Sequence, residues 1–189
     1  TIVCGFGRNG KQAMARLKSY KKGCVIVEND PELIEEIEAD GSMLYIKGDA
    51  TSDEALLAAG IERASSLITT LPSDADNLYV VLSARQLNSE CTIVSRASID
   101  TSYKKLKIAG ADNVIMPDKL GGAHMASLVT TPDIMEFIDR LSIEGESSSN
   151  IEELTSMVNG QNNEKIVGLM KYMVPEFLSN NSEFEKLDK

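Results

Sequence analysis

The stretch of this sequence best suited to chemistry is Gly5–Gly10, GFGRNG, which fits the pattern G-x-G-x-x-G. It follows the short apolar run Ile2–Cys4 and leads into a helical pattern of apolar residues. In such a pattern the first glycine permits a tight turn, the second lets the backbone approach a pyrophosphate, and the third lets the helix pack closely on the strand. The helix would then direct its free N–H groups and positive dipole end at phosphates.

A carboxylate at Glu28 completes this fingerprint. It ends the apolar run Cys24–Val27 and lies about 20 residues beyond the glycines, where an acidic residue accepts the ribose hydroxyls. Three glycines alone also fit an ordinary loop, but the strand, the helix and Glu28 together favour a nucleotide site over an empty shell of the same fold. Asn29 and Asp30 follow, with no arginine to neutralise a 2′-phosphate, so we expect NAD or an adenine nucleotide rather than NADP.

Other polar residues follow predicted strands, where ligands bind in open α/β sheets. Asp49 follows the third strand and is either a turn former or a ligand contact. Thr70 and Asp74 follow the fourth strand, and Asp74 either caps the next helix or contacts the ligand. Arg96 follows the fifth strand, where a guanidinium would reach phosphates, and Arg8 either contacts phosphate or is solvated.

Residues for catalysis or metal binding are scarce. Cys4, Cys24 and Cys91 lie in predicted strands without C-x-x-C spacing, which indicates buried reduced thiols. His124 is the one histidine and a poor basis for a metal site or a Ser/His/Asp set. A dehydrogenase needs a general acid or base and a substrate pocket, and the chain outside the predicted Rossmann unit is helical and short of residues for either. We therefore expect ligand binding without catalysis and no metal.

The net charge and hydropathy of the chain argue against nucleic acid and membrane as direct partners. The chain has 189 residues and a formal net charge of −10, which argues against a nucleic-acid surface and against adhesion to anionic lipids. No apolar run approaches the roughly 20 residues that span a bilayer, so we expect no direct membrane insertion. The sequence opens at Thr1 in mid-strand without a methionine, so we expect further residues upstream.

Strands alternate with helices over residues 1–117, at spacings that require right-handed parallel crossovers. We predict a Rossmann-like α/β domain with a doubly wound, six-stranded parallel sheet. Asp30 and Gly41 are expected to bound the second helix, and Thr51 with Glu54 to form a capping box for the third. The predicted strands are Ile2–Cys4, Cys24–Val27, Met43–Ile46, Ser66–Thr70, Cys91–Ser95 and Asn113–Met116.

The pattern changes after Pro117. Residues 118–143 read as two helices, Leu120–Val129 and Ile134–Leu141, separated at Thr131-Pro132. Their large apolar side chains predict a crossover segment through which the chain dimerises. Residues 144–150, EGESSSN, read as a linker, and residues 151–189 as a helical tail of unassigned role.

Five motifs together closely resemble the RCK domain, the potassium-conductance regulator module also called KTN or the Trk-type N-terminal NAD-binding domain. The resemblance covers about residues 1–145 and is most specific in the last motif. The motifs are VCGFGRNG at 3–10, Val27-Glu28, GDAT at 48–51, Ser95-Arg96-Ala97 and AGADNVIMP at 109–117.

The resemblance implies a regulatory module, not an enzyme, on the cytoplasmic face of the cell membrane. It would gate a potassium channel pore or a transporter membrane subunit as a homodimer or a higher gating ring, with Thr131–Leu141 crossing between partners. Its ligands would be NAD(H), ATP, ADP or AMP. Calcium is not expected, because Arg96 and Ser98 stand where calcium-gated members carry acids. The alternative is a small NAD-dependent oxidoreductase whose tail completes a pocket.

The proposed nucleotide contacts come from the glycine turn and the strand ends. By position in the family, the turn would line the phosphates, Glu28 the ribose, Asp49 and Ala50 the adenine, and Arg96 a phosphate. The full set is Gly5, Phe6, Gly7, Arg8, Asn9, Gly10, Glu28, Asn29, Asp49, Ala50, Thr70, Leu71, Asp74 and Arg96.

Overall fold

The computed structural model describes residues 1–130 of the chain. The strands are β1 (Ile2–Cys4), β2 (Val25–Glu28), β3 (Leu44–Lys47), β4 (Ser66–Thr69), β5 (Thr92–Arg96) and β6 (Asn113–Ile115). The helices are α1 (Arg8–Ser19), α2 (Pro31–Asp40), α3 (Asp53–Ala58), α4 (Asp74–Leu87), α5 (Asp100–Ile108) and α6 (Pro117–Thr130), with a single 3₁₀ turn at Ile61–Arg63.

The strands form one parallel sheet in the order β3-β2-β1-β4-β5-β6. This confirms the predicted Rossmann-like, doubly wound fold. The chain order reverses between β1 and β4, and in open α/β sheets a crevice for ligands forms there, outside the carboxyl ends of the strands. The loops at the carboxyl ends of the strands therefore decide what the domain can bind.

Strand β1 is buried on both faces of the sheet. Ile2 and Cys4 belong to the larger apolar cluster, which includes Leu56 of α3 and Leu106 of α5, while Val3 belongs to a smaller cluster. Side chains alternate between the two faces of a strand. The helices thus cover both faces around β1, which places the glycine turn at the centre of the domain.

Two local capping predictions have different outcomes. Asp30 accepts a hydrogen bond from the Glu32 N–H (2.9 Å), and Gly41 ends α2 with φ of 66°, as predicted. The Thr51 capping box is wrong, because Ser52 caps α3 by accepting from the Ala55 N–H (3.2 Å). Thr51 instead donates its hydroxyl to the Asp49 carboxylate (2.8 Å).

The most family-specific motif, AGADNVIMP, is structural at its centre. Gly110 has φ of 109°, and its carbonyl accepts from Arg85 Nη2 (2.8 Å). Arg85 Nη2 also donates to Asp112 (2.8 Å), whose carboxylate accepts the Ile93 N–H. One guanidinium thereby ties α4 to the segment that enters β6, and Asp112 fixes β5 beside it.

Helix α6 matches the helix predicted at Leu120–Val129. The second crossover helix, the linker at 144–150 and the tail at 151–189 lie outside the described residues. Within residues 1–130, no helix is both long and apolar enough to cross a membrane.

Asn77 holds the loop between β4 and α4 and is fully buried. Its Oδ1 accepts from the Thr69 hydroxyl (2.6 Å) and the Leu71 N–H (3.0 Å), and its Nδ2 donates to the Leu71 carbonyl (3.0 Å). A buried side-chain amide that is satisfied in this way fixes the backbone that it contacts. It sets the position of Leu71 at the crevice.

We expect Asn77→Ala to destabilise the domain by about 2–3 kcal/mol, because three polar groups at the loop would lose their partner in a buried setting. Chemical denaturation followed by circular dichroism measures this change. Gln86→Ala, at an exposed position of the same helix, should alter stability by less than about 0.5 kcal/mol. Equal stability of Asn77→Ala and the wild type would contradict the role given to Asn77.

Candidate nucleotide-binding site

The three glycines of the turn have distinct geometries. Gly5 has φ of 90°, a backbone conformation that side chains disfavour. A Cβ on Gly10 would lie 2.0 Å from the Gly5 carbonyl oxygen, so this position accepts no larger residue without a shift of the backbone. A Cβ on Gly7 would meet no atom within 4 Å, which leaves the backbone there open to approach. Each glycine thus has the geometry that its predicted role requires.

The glycine turn leads into helix α1, whose N-terminus has no side-chain cap. Gly7 is the N-cap of α1 and supplies no side-chain hydrogen bond, and no acidic residue lies in the first turn. The first N–H groups of a helix have no partner within the helix, and together with the dipole they attract anions. Thr70 supports this turn, since its hydroxyl lies 3.2 Å from the Cys4 carbonyl and 3.1 Å from the Gly5 carbonyl.

Glu28 is buried at the crevice and is held by backbone donors. Its Oε2 accepts the Phe6 N–H (2.5 Å), and its Oε1 accepts the N–H groups of Asn29 (2.8 Å) and Asp30 (2.9 Å). A carboxylate offers about four acceptor positions. Glu28 therefore links the glycine turn to the β2–α2 loop through these hydrogen bonds. Its Oε2, which accepts only one of them, can accept a further hydrogen bond. Sequence reasoning gave Glu28 the ribose contact but missed this linking role.

An acidic cavity of about 180 Å³ lies beside Glu28. Asp49 and Asp76 line it too, so hydroxyl and amino donors suit it better than phosphates. The Asp49 carboxylate also accepts the Thr51 N–H (2.9 Å). Asp49 therefore stabilises the turn after β3 and lines the cavity as well. The lining residues are Val27, Glu28, Asn29, Gly48, Asp49, Ala50, Thr51, Leu71, Pro72 and Asp76. Five of the predicted contacts meet here, and Asp76 was missed.

A second, mainly basic cavity of about 380 Å³ is lined from α1, β5 and α6. It brings together the predicted residues Arg8, Asn9 and Arg96 with Lys11, which sequence reasoning left facing solvent. The ammonium of Lys11 lies 5.5 Å from the centre of the Phe6 ring. This ring contact holds Lys11 near the glycine turn, and no sequence pattern predicts it. Three cationic side chains thus line one cavity.

Arg96 links two strand ends of the crevice. Its Nη1 donates to the carbonyls of Leu71 (3.0 Å) and Pro72 (3.3 Å). Its Nε is buried without a hydrogen-bond partner among the described residues. Part of its hydrogen-bonding capacity is therefore structural, and part is left for an anion.

Asp74 lies outside the linings of both cavities. The reading of Asp74 as the cap of α4 is wrong, because Ser73 caps that helix by accepting the Asp76 N–H (3.2 Å). The Asp74 carboxylate instead accepts the Ser98 N–H (2.9 and 3.0 Å), joining α4 to the loop after β5. Burial raises the pKa of Asp74, but hydrogen bonds from Ser98, Ser102 and Ile99 outweigh it, so the pKa lies below its ordinary value.

Cys4 and Cys91 are not activated thiols. Burial, and then the nearby Cys91 and Glu28, raise the pKa of the Cys4 thiol, and burial also raises that of Cys91. Both thiols are thus protonated at neutral pH and pack as apolar groups. Within residues 1–130, no group of three or more Cys, His, Asp or Glu side chains is arranged to hold a metal ion.

Comparisons with known proteins agree with this fold. The family model described as "TrkA-N domain" matches residues 1–117. Potassium channel protein 1 of Methanocaldococcus jannaschii is 42% identical over 141 residues, which are 74% of this chain and 42% of that protein. The chain therefore spans less than half the length of this relative.

Two solved structures extend the likeness. The TrkA-N domain of the Escherichia coli inner membrane protein ybaL superposes with a TM-score of 0.64 at 27% identity, over 67% of this chain and 93% of that one. GsuK bound to ADP superposes with a TM-score of 0.58 at 30% identity, over 67% of this chain and 32% of that one. With the family model matching residues 1–117, the chain belongs to the TrkA-N family, whose structural neighbours are RCK domains.

Proposed function

We propose that this domain is a nucleotide-sensing regulatory module that gates a potassium channel or transporter. It would act on the cytoplasmic face of the membrane, without catalysis of its own. The observation that carries the proposal is the geometry of the glycine turn. Gly7 leaves the uncapped N-terminus of α1 accessible, and Gly10 allows that helix to pack closely against the end of β1. A helix terminus held in this way is a preformed anion site.

The ligand follows from the charges on the two sides of the turn. The acidic cavity at Glu28 and Asp49 suits ribose hydroxyls and an adenine amino group, and the basic cavity at Arg8 and Arg96 suits phosphates. NAD(H) and the adenine nucleotides ATP, ADP and AMP carry both parts. The likeness to GsuK, which was solved with ADP, supports an adenine nucleotide.

The output would be a change in the geometry of a dimer, because a ligand shifts an equilibrium only when it binds one state more tightly than the other. Helix α6 buries none of its residues. Leu120 and Met125 on it are 58% and 65% exposed, and Leu128 and Val129 are exposed as well. Exposed apolar side chains grouped on one helix favour a protein partner. A second copy of the chain is the partner we propose, with higher gating rings built from such dimers and a membrane pore or transporter subunit as the target.

Calorimetric titration of the full chain with NADH, ATP, ADP and AMP should show binding of at least one of them below millimolar concentration. Gly7→Ala should weaken that affinity by at least about tenfold, because a methyl group would lie where the pyrophosphate approaches the backbone. Gly23→Ala is the matched control, since a Cβ at Gly23 also meets no atom within 4 Å but lies away from the turn.

The same titration with NADP(H) tests the role of Glu28. A 2′-phosphate beside that carboxylate is repelled, so NADP(H) should bind more weakly than NAD(H). Binding of NADP(H) as tight as that of NAD(H) would contradict the assignment of Glu28. No binding of any nucleotide at millimolar concentration would refute the sensor.

We expect light scattering to give the mass of a dimer for the wild type at tens of micromolar. The double variants Phe137→Glu/Ile138→Glu and Met125→Glu/Leu128→Glu should be monomeric, because charges in an apolar interface lose hydration without gaining a partner. Leu44→Glu, a control at a residue that is 70% exposed on the edge strand β3, should remain dimeric. A monomeric wild type, or dimers in both double variants, would remove the interface from this segment.

A further inference from the structure

The basic cavity contains one carboxylate that the proposed function does not use. Arg8 and Lys11 line the cavity from α1 and Arg96 lines it from the end of β5, while Asp118 lines it from the first turn of α6. Two of the three cations have other partners: Lys11 pairs with Glu36, and Arg96 donates to backbone carbonyls. The lining of the cavity therefore carries three positive charges and one negative charge.

Asp118 faces these cations without a direct ion pair. Among the described residues, no ion pair within 4.0 Å joins Asp118 to Arg8, Lys11 or Arg96. The neighbouring Lys119 pairs with Asp100 (2.9 Å), so it is already engaged. The negative charge of Asp118 is thus available to act on whatever enters the cavity.

Phosphates that extend beyond the glycine turn would meet this charge. A phosphate monoester carries up to about −2 at neutral pH, and each further phosphate of ADP or ATP adds roughly one negative charge. Residues that line one cavity of about 380 Å³ lie close enough for incomplete screening, because the Debye length is about 8 Å at physiological salt. Asp118 therefore opposes the terminal phosphates that Arg8 and Arg96 attract.

Building on the nucleotide site proposed above, we propose that Asp118 sets the phosphate charge that the site accepts. It disfavours ATP and ADP relative to AMP and to the pyrophosphate diester of NAD. The carboxylate is a specificity-determining group and needs no contact with the adenosine half of the ligand. Because Asp118 lies in the first turn of α6, the repulsion between its carboxylate and a bound polyphosphate also acts on that helix.

The test is calorimetry on the full chain in EDTA with AMP, ADP and ATP. In Asp118→Asn the affinity for ATP should rise by about fivefold or more, and that for AMP by less than about twofold, because the removed repulsion grows with ligand charge. The gain for ATP should shrink as salt is raised. Asp118→Glu should keep the wild-type ratio of ATP to AMP affinity.

Asp100→Asn is the control, since it removes the same charge from an exposed carboxylate that pairs with Lys119 and does not line the cavity. It should leave the ratio of ATP to AMP affinity unchanged. If nucleotides bind but Asp118→Asn leaves that ratio at its wild-type value, or shifts it no more than Asp100→Asn does, the role of Asp118 is refuted and the nucleotide site stands. If no nucleotide binds the wild type, both proposals are refuted.

Discussion

The contact between Gly10 and the Gly5 carbonyl is the constraint on which the site depends. A Cβ at Gly10 would come within 2.0 Å of that oxygen, far inside van der Waals contact, so α1 reaches this position only with glycine there. The contact seats the start of α1 directly after β1, at the point where the strand order reverses. Thr70, which directly follows β4, and Glu28, at the end of β2, then hold the turn. The uncapped end of the helix, where we propose that anions bind, is thus fixed by the fold itself.

Charge is separated along the crevice. Glu28, Asp49 and Asp76 line the acidic cavity, while Arg8 and Arg96 line the basic one. A nucleotide has the matching polarity, since its sugar and base donate hydrogen bonds and its phosphates accept them. In the proposed site, the same arrangement would orient the ligand and disfavour a phosphate on the ribose. Asp118 departs from this separation, because its carboxylate lines the basic cavity.

The strands, their order and the glycine turn could be predicted because they follow from short-range patterns: apolar runs, a fixed glycine spacing and right-handed crossovers. Asp30 and Gly41 were read correctly for the same reason. Thr51 was expected to cap α3, and capping of α4 was one of two roles considered for Asp74. Ser52 and Ser73 cap these helices instead, because adjacent polar residues suit a cap almost equally and packing decides between them. The place of Asp118 beside Arg8 and Arg96 depends on contacts between elements distant in the chain, which one sequence does not reveal. The buried bonds of Asn77 reach only to the nearby Thr69 and Leu71, but no periodic pattern indicates them. All of the proposed nucleotide contacts, the glycines and Glu28 included, remain predictions.

The central claim is that nucleotide phosphates bind the uncapped end of α1. Amide ¹H–¹⁵N spectra of the labelled chain, recorded as ADP is added, test it most directly because each backbone N–H reports separately. The account predicts that the largest shift changes fall on Gly7, Arg8 and Asn9, with smaller ones at Asp49 and Ala50. Largest changes away from the glycine turn, with those three amides unmoved at saturation, would contradict it.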